Sequence, residues 1–575
     1  MGTTAAILYK KDGYNTSDRR LVGRQSAGEG FLKGLVQYGT ADELYCYTGT
    51  QEEFAEFVGL IDPWAKRPRQ VRWVSSSNPK MLAEAGTLYI PVPGVGSFAW
   101  SRRFTDQRAY SICGVTHTIA TKNVMQAIGD LPIAPVQPWD ALICTSQAVK
   151  IAVEEILGNW ADYLAKRTGS SKIKPEIQLP VIPLGVDCDA FPQGDKARNI
   201  RAQFRQQFGI ASDDIVVLFM GRLTFSSKAH PVPMYMALET AAKATNKKIH
   251  LIQAGWFENQ KEENSFKGTA QAFCPSVNTI FIDGRLQETR FNIWCIADIF
   301  ISLSDNIQET FGLTPIEAMA AGLPVIVSDW NGYQESVRHQ VDGLKIPTLQ
   351  PPPDAGIDLA ESLMDDSLNY DTYIGHTSMM TAVDIDACSQ ALTLLINDAE
   401  LRRRLGENGR SRVRELYDWK VVISAYEQLW QNLAEIRAAA SMSVPLTPNS
   451  PPYPLCEDPF RLFAHYSTTK LTPDLVLCLG RMAKPESLQE IRKIWITSFG
   501  RNRRSSSEII DAILARIKAD GEMSVGDILN QWGDNNPTQL AYLSRSLVYL
   551  LKFDVLRLSP NSLNQGTHII GSILT

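Results

Sequence analysis

Over roughly the first 190 residues the apolar positions fall in short runs bounded by charges or turn formers: TAAILY, ELYCYT, VRWVSS, GTLYIPV, SICGVTH, ALICTS and LPVIPL. Runs of this length read as buried strands, whereas QAVKIAVEEILGNWADYLA repeats its apolar residues at helical spacing. Strands that alternate with helices require crossover connections, and these give a parallel sheet covered on both faces. A charged helix, DKARNIRAQFRQQFGI, then leads into a second series. IVVLFMGRL, IHLIQAG, TIFIDG, IFISLS and PVIVSD are predicted strands. HPVPMYMALETAAKATN, QETRFNIWCIAD and TPIEAMAAG are predicted helices, and a long helical stretch from Leu401 to Ala440 closes the series.

Two segments break the alternation. Residues 350–382 are Pro-rich and irregular, and are read as an insertion into the second series. SMSVPLTPNSPPYP, residues 441–454, lacks a core-forming pattern and reads as a linker. Beyond it, three helical patterns (506–521, 524–533 and 536–554) and an extended DVLRLS could form a small winged-helix-like unit. The expected fold class is therefore α/β, with two Rossmann-like domains at 1–195 and 196–440, a linker at 441–454 and a mostly helical accessory domain at 455–575.

Composition narrows the function classes. A chain of 575 residues exceeds the roughly 250–300 that one core supports. A net charge of −5 gives the whole chain no strong field for nucleic acid. The accessory unit repeats that message, with seven acids against five bases from Ser506 to Arg557, although Arg501, Arg503 and Arg504 form a basic patch just before it. No apolar run approaches the ~18–20 residues of a membrane span, and the N-terminus lacks the order of regions of a signal peptide. Nine scattered cysteines without a C-x-x-C pair point to free thiols in a reducing compartment and give no zinc pattern. A cytoplasmic protein is expected, and a peripheral membrane contact stays open.

The densest chemistry lies in SDNIQETFGLTPIEAMAAGLPVIVSD, from Ser304 to Asp329. A strand runs into a loop carrying Glu309. A helix with Pro315 in its first turn follows, and the helix stops at Gly322. Loops at the carboxyl ends of parallel strands line the ligand crevice. The free N–H groups of Phe311, Gly312, Leu313 and Thr314 would face it, and such a helix start favours phosphate. Seven residues separate Glu309 from Glu317, so one carboxylate sits on the loop and the other in the first turn. The bland alternative is a solvated Glu309 and a Glu317 that only complements the helix dipole.

This stretch resembles the E-x7-E region of retaining glycosyltransferases of family 4, which have the GT-B fold of two Rossmann-like domains facing across a cleft. IVVLFMGRLTFSSK, TIFIDGRLQETRFNIWCIADIFISLSDN and LGENGRSRVRELYDWKVVISAYEQLW follow the family pattern in order, over about Ile215–Trp430. The resemblance implies that Arg222 and Lys228 bind the donor diphosphate, although Ala229 and His230 depart from the usual spacing after the lysine. It implies that Gly284 and Arg285 border the base, that Glu309 and Glu317 contact the donor, and that His117 faces the donor sugar. Gly28 and Gly30 resemble the family's glycine loop beneath donor and acceptor, but a long polar segment precedes them. No G-x-G-x-x-G follows a strand, so NAD is not expected.

Asp329 is expected to cap a turn rather than touch the site. Asp187-Cys188-Asp189 follows IPLGV where the family has a linker-side motif and gives no metal site. The basic runs Lys66–Trp73 and Ser101–Phe104 read as solvated faces, with an anionic acceptor or lipid head groups as the alternative.

The reading is a retaining glycosyltransferase that moves a sugar from a nucleotide-sugar to an unidentified acceptor. It needs no cofactor and no metal, and front-face attack is implied by the family. No nucleic acid partner is expected, and residues 455–575 are expected to serve a protein partner or self-association. A non-catalytic nucleotide- or sugar-binding or regulatory protein on the same fold is the alternative. A different enzyme class on the same architecture, such as a glycogen-type phosphorylase or a nucleotide-sugar epimerase, is the other rival; a phosphorylase would need a pyridoxal-binding lysine in a recognisable context, and none is found.

Overall fold

In the computed structural model, which describes residues 4–14, 16, 23–285, 291–447 and 450–560, the chain divides into two compact units, Met1–Tyr453 and Pro454–Thr575. The first unit holds two six-stranded sheets. Strands β1 (Thr4–Leu8), β2 (Glu43–Thr48), β3 (Gln70–Ser75), β4 (Gly86–Ile90), β5 (Ser111–Val115) and β6 (Ala141–Ile143) pair in the order β3-β2-β1-β4-β5-β6. Strands β7 (Ile215–Met220), β8 (Ile249–Gly255), β9 (Asn278–Asp283), β10 (Ile299–Ser302), β11 (Val325–Ser328) and β12 (Gly343–Ile346) pair in the order β12-β11-β10-β7-β8-β9. Every pairing within these sheets is parallel. This is the expected GT-B architecture of two Rossmann-like domains.

The strand sequences explain the layering. IVVLFM in β7 and IHLIQAG in β8 are buried at every position, as strands covered on both faces must be. In each sheet the chain builds outward on one side and then returns to the other. The order therefore reverses between β1 and β4, and again between β7 and β10, and such a reversal opens a crevice at the carboxyl ends of the strands.

Several predicted elements differ. LPVIPL is not a strand: only isolated bridges join Gln178 and Val181 to Ala141 and Cys144, because Pro180 and Pro183 supply no ladder N–H. QETRFNIWCIAD lies partly outside the described residues, and its described part contains a short 3₁₀ turn, Ile293–Ile296. The insertion is not irregular. It folds into helices Ile357–Met364 and Tyr370–Met379, the second capped by the Asn369 side chain, which accepts from Thr372 N–H.

The last helix of the predicted 196–440 domain packs elsewhere than its place in the sequence suggests. Helix Trp419–Ala439 crosses back and joins the core of the first domain, with Trp419, Tyr426 and Trp430 packed among Tyr14, Phe31 and Tyr89. The start of the predicted linker is strapped to the same domain. Ser443 exchanges hydrogen bonds with Gln137, the Val444 carbonyl accepts from Arg103, and the Tyr453 ring lies 4.5 Å from that of Trp100.

The basic runs are solvated only in part: Lys66, Arg67, Ser101 and Phe104 are exposed, while arginines in both runs bond to the fold. Arg102 is completely buried and grips Asp140 with two bonds of 2.6 and 2.7 Å. Arg67 donates to the carbonyls of Gly39, Thr40 and Ala41, and Arg72 pairs with Glu43.

In the second unit, helices Ser507–Asp520, Val525–Trp532 and Pro537–Lys552 pack on a three-stranded antiparallel sheet. The central strand of that sheet, Val476–Leu479, lies upstream of the three helices. Leu543, Leu547 and Leu550 spend the apolar face of the third helix on this unit's own core. Among the described residues, no helix is long and apolar enough to cross a membrane.

Candidate functional site

At the carboxyl ends of β7, β8 and β9 the chain passes through Gly221, Gly255 and Gly284. Backbone bonds stack them: Gly221 N–H donates to the Ala254 carbonyl and Gly284 N–H to that of Gly255. A β-carbon on Gly255 would lie 1.9 Å from the Gly221 carbonyl oxygen, so the strand ends can approach this closely only without side chains. Gly221, at φ +152°, turns the chain into a loop that carries Arg222 and Lys228 over the end of the sheet. The Lys228 stem occupies the place where a β-carbon on Gly221 would point, with its Cε 3.0 Å away.

The neighbouring strand, β10, delivers the second half of the site. Asn306 and Gln308 tie its loop to the first one: the Asn306 side chain donates to the Ser226 carbonyl, and Gln308 Nε2 donates to that of Ser227 at 3.0 Å. Glu309 follows, its carbonyl held by Asn331 Nδ2 at 2.9 Å. Gly312 follows at φ +87°, where an added β-carbon would lie 1.9 Å from the ring of Tyr333, so only glycine fits. Helix Leu313–Ala321 starts there without a side-chain cap. Its first N–H groups are thus left for a ligand. The Tyr333 phenol beneath is buried and pushed up to about 12 by that burial, and hydrogen-bonds Ser302 at 3.0 Å.

These elements enclose a cavity of about 500 Å³. Arg222, Lys228, Gly284, Arg285, Glu309, Phe311, Gly312, Leu313, Thr314 and Glu317 line it from the second domain, and His117 from the first. Lys228 Nζ meets Glu309 Oε2 at 2.6 Å. Burial pulls the ammonium's affinity for its proton down, but the Glu309 charge outweighs it and holds Lys228 well above its ordinary value. Arg222 reaches Glu258 at 3.2 Å, and Arg285 pairs with Asp283 at 2.7 Å. Burial, helped by the charge of Arg24, holds the His117 imidazole down at about 4. The ring is neutral at neutral pH and presents one donor and one acceptor.

Two predicted residues do not join the site. Gly28 and Gly30 lie inside helix Gly23–Tyr38, not on a loop, and do not line the cavity. Gly28 packs on the Gly13 carbonyl. Gly30 makes room for the indole of Trp419, whose Cζ2 would stand 2.9 Å from a β-carbon there. The start of the same helix supplies the cavity instead, through Gly23, Arg24 and Ser26. Asp329 pairs with Lys345 at 2.8 Å outside the cavity. Asp187 and Asp189 pair with Lys33 and Arg414. Among the described residues, no group of three His, Cys, Asp or Glu side chains could hold a metal ion.

Sequence reasoning missed the wall formed by the insertion. Tyr370 and Asp371 line the cavity. The Tyr370 hydroxyl donates to Gln308 Oε1 at 2.9 Å and also engages Thr118 of the first domain. Thr310 likewise spans the cleft, its hydroxyl donating to the His117 carbonyl at 2.7 Å while its own carbonyl accepts from Ser146. The N-cap pattern at Asn369 was the one local signal for the helix; its docking on the cleft had none.

Residues 200–378 match the family model described as Glycosyl transferases group 1, a span that holds every cavity residue of the second domain named above. The chain is 27% identical over 261 residues to a D-inositol 3-phosphate glycosyltransferase of Geodermatophilus obscurus, covering 44% of this chain and 54% of that protein. It is 24% identical over 259 residues to a lipopolysaccharide 1,2-N-acetylglucosaminetransferase of Salmonella typhimurium, covering 45% and 58%. It thus spans about half the length of the curated relatives it matches. A sucrose-phosphate synthase from Thermosynechococcus elongatus superposes with a TM-score of 0.45 at 17% identity, covering 75% of this chain and 98% of that one. At that level the likeness carries no weight beside the strand order described above.

Proposed function

We propose that this chain, whose residues 200–378 match the glycosyl transferases group 1 family, moves a sugar from a nucleotide-sugar donor to an acceptor with retention of configuration. The observation that carries the reading is the convergence on one cavity of two cations, Arg222 and Lys228, and an uncapped helix start at Gly312. A diphosphate leaving group gains negative charge as the glycosidic bond breaks, and fixed cations and N–H donors placed before the reaction stabilise that charge. In this reading the protein's own cations meet the charge and no metal or cofactor is required. The curated relatives named above are glycosyltransferases by name, which favours transfer over simple binding.

The roles follow from position. Arg222 and Lys228 take the diphosphate, with the N–H groups from Phe311 to Thr314. Gly284 and Arg285 border the base, and Glu317 contacts the donor from the helix's first turn. Glu309, held by Lys228, faces the reacting sugar, and neutral His117 faces it from the other domain. Attack from the face the leaving group departs gives retention, the leaving phosphate accepting the acceptor's proton. The acceptor enters beside Arg24, Thr118 and Tyr370.

Incubation with a panel of UDP-, GDP- and ADP-sugars should show slow release of the nucleoside diphosphate from one of them. Proton NMR of the product formed with that donor should show the anomer of the donor. Release of nothing from any donor leaves a binding protein, and the inverted anomer overturns the retaining mechanism.

A further inference from the structure

The second unit carries an apolar tip that its own core does not use. Helix Pro485–Lys493 buries Leu488 and Ile491. The chain then turns through Ile494 into the short helix Trp495–Ser498, and leaves by Gly500 at φ +74°. Trp495 is 74% exposed, Ile496 72% and Phe499 73%. Scattered exposed apolar residues are ordinary, but three adjacent ones, two of them aromatic, form a patch. The Trp495 and Phe499 rings meet edge to face at 6.0 Å, so the two aromatics form one surface.

The tip is held out by its backbone. The single Thr497 hydroxyl proton is shared between the Ile491 and Ile494 carbonyls, which lie 2.6 and 2.9 Å from Oγ1. Arg504 donates to the Ser498 and Phe499 carbonyls while its guanidinium lies 3.5 Å from the centre of the Tyr549 ring. A side chain of the folded core thus clamps the turn that presents the apolar groups, which lowers the entropy lost when they are buried against something else.

Charge decides what that something is. From Arg492 to Ser507 the sequence has five bases and no acid. Arg492 pairs with Asp511 and Arg504 is spent on the clamp, but Lys493, Arg501 and Arg503 are exposed and form no ion pair among the described residues. The unit's other exposed apolar stretch, with Leu455, Phe460 and Tyr466, mixes Glu457 and Asp458 with Arg461 and so has no such preference.

We propose that the Trp495–Phe499 tip docks the chain on an anionic lipid bilayer. The indole and phenyl rings sit at the level of the head groups, and Lys493, Arg501 and Arg503 lie against the lipid phosphates. This rests on the accessory unit alone and stands whether or not the chain transfers a sugar.

Sedimentation of the full chain with vesicles tests it. Vesicles containing phosphatidylglycerol should bind at least about tenfold more protein than pure phosphatidylcholine, and high salt should release it. Trp495→Ser with Phe499→Ser, and separately Arg501→Glu with Arg503→Glu, should each lower binding about tenfold, with far-ultraviolet circular dichroism unchanged. Quenching by brominated lipid, present in the wild type and lost in the conservative Trp495→Phe, reads the insertion of that ring directly and does not depend on the disruptive variants folding. Equal binding to neutral vesicles, wild-type binding by the variants, or quenching unchanged in Trp495→Phe would overturn the proposal. So would light scattering that finds the full chain self-associated without lipid and the Trp495→Ser, Phe499→Ser variant smaller, since the tip would then be an interface between copies.

Discussion

Lys228 and Glu309 meet at 2.6 Å with only 16% and 17% of their side chains exposed, so neither can be changed without altering the other's environment. Arg222→Ala should weaken nucleoside diphosphate binding by about 1.5–3 kcal/mol, the range for hydrogen bonds to charged groups. Lys228→Ala should lose a similar amount and, unlike Arg222→Ala, leave Glu309 as a covered carboxylate without its cation, so turnover should fall as well. Glu309→Gln should hold or improve diphosphate affinity, because it frees Lys228, and lower turnover at least ~100-fold. Calorimetry with the nucleotide that binds the wild type, beside donor turnover, checks all three, and a Glu309→Gln variant that loses nucleotide affinity would sink this division of labour. His117 gives a pH test. Its folded value of about 4 lies below its ordinary 6.5. The unfolded chain therefore takes up the proton first, and the stability this group contributes, fully present above 6.5, is lost as pH falls towards 4. Imidazole NMR should show a midpoint near 4, and one near 6.5 would mean the ring is exposed to water. At this scale the ordered stretch from Glu309 to Glu317 was legible because loop, helix start and glycine are local. Arg24 and Tyr370 were not, because what brings them to the cavity is packing between distant segments.

The elements around the site are coupled through buried Asp305. Its Oδ2 accepts from the His230 N–H at 3.2 Å, and its Oδ1 accepts from the Ser378 hydroxyl at 2.9 Å. It thus joins the end of the Arg222–Lys228 loop to the insertion helix. Burial raises its carboxyl from 3.8 to about 7. The folded state holds this proton more tightly than the unfolded one, so the stability it gives is full below about 4 and is lost as pH rises through about 7. Asp305→Asn keeps an acceptor for His230 and can donate to Ser378. Thermal unfolding of this variant should lose the wild type's decline across that window, and an unchanged pH profile would show that Asp305 is ionised throughout. Gly312→Ala is the sharper element-scale change. It forces a side chain to φ +87° and into the Tyr333 ring, so it should cost at least ~1–2 kcal/mol and displace the helix start that diphosphate would use, which calorimetry and melting would both register. Most of the strands and this helix were predictable from their apolar runs, but Gly343–Ile346 was not predicted and LPVIPL reads as a strand that does not form. The insertion was misread because a Pro-rich composition hides the two short helices that follow, and Gly30 was misread because a glycine that admits an indole looks in sequence like one that admits a ligand.

At the scale of the whole molecule, the chain does not finish its first domain until its last α/β segment. Trp419 fits against Gly30, Gly34 and Gly185, each of which would place a β-carbon within about 3.1 Å of the indole, and the rest of its helix fills the core over Phe31 and Tyr89. No local pattern announces this, since the helix reads equally well as the end of the second domain. The consequence is a steep dependence on where the chain is cut. Ending it after Tyr453 removes a unit with its own core, from Leu477, Leu488 and Ile491 through Leu556, and keeps Ser443, Val444 and Tyr453 on the first domain. That shortened chain should melt cooperatively and keep its turnover of donor. Ending it after Ala440 loses the bonds to Gln137 and Arg103 and should lower the melting temperature without abolishing the fold. Ending it after Tyr417 removes Trp419, Tyr426 and Trp430 together. Truncating even one large aromatic in a core costs about 3–5 kcal/mol, a large part of a domain's whole stability of roughly 5–15 kcal/mol. The first domain should then fail to fold although none of its own strands has been touched. Melting curves of the three chains order these outcomes. A well-folded first domain in the shortest chain would show that helix Trp419–Ala439 is an appendage, and that the domain boundary lies where the sequence pattern alone would place it.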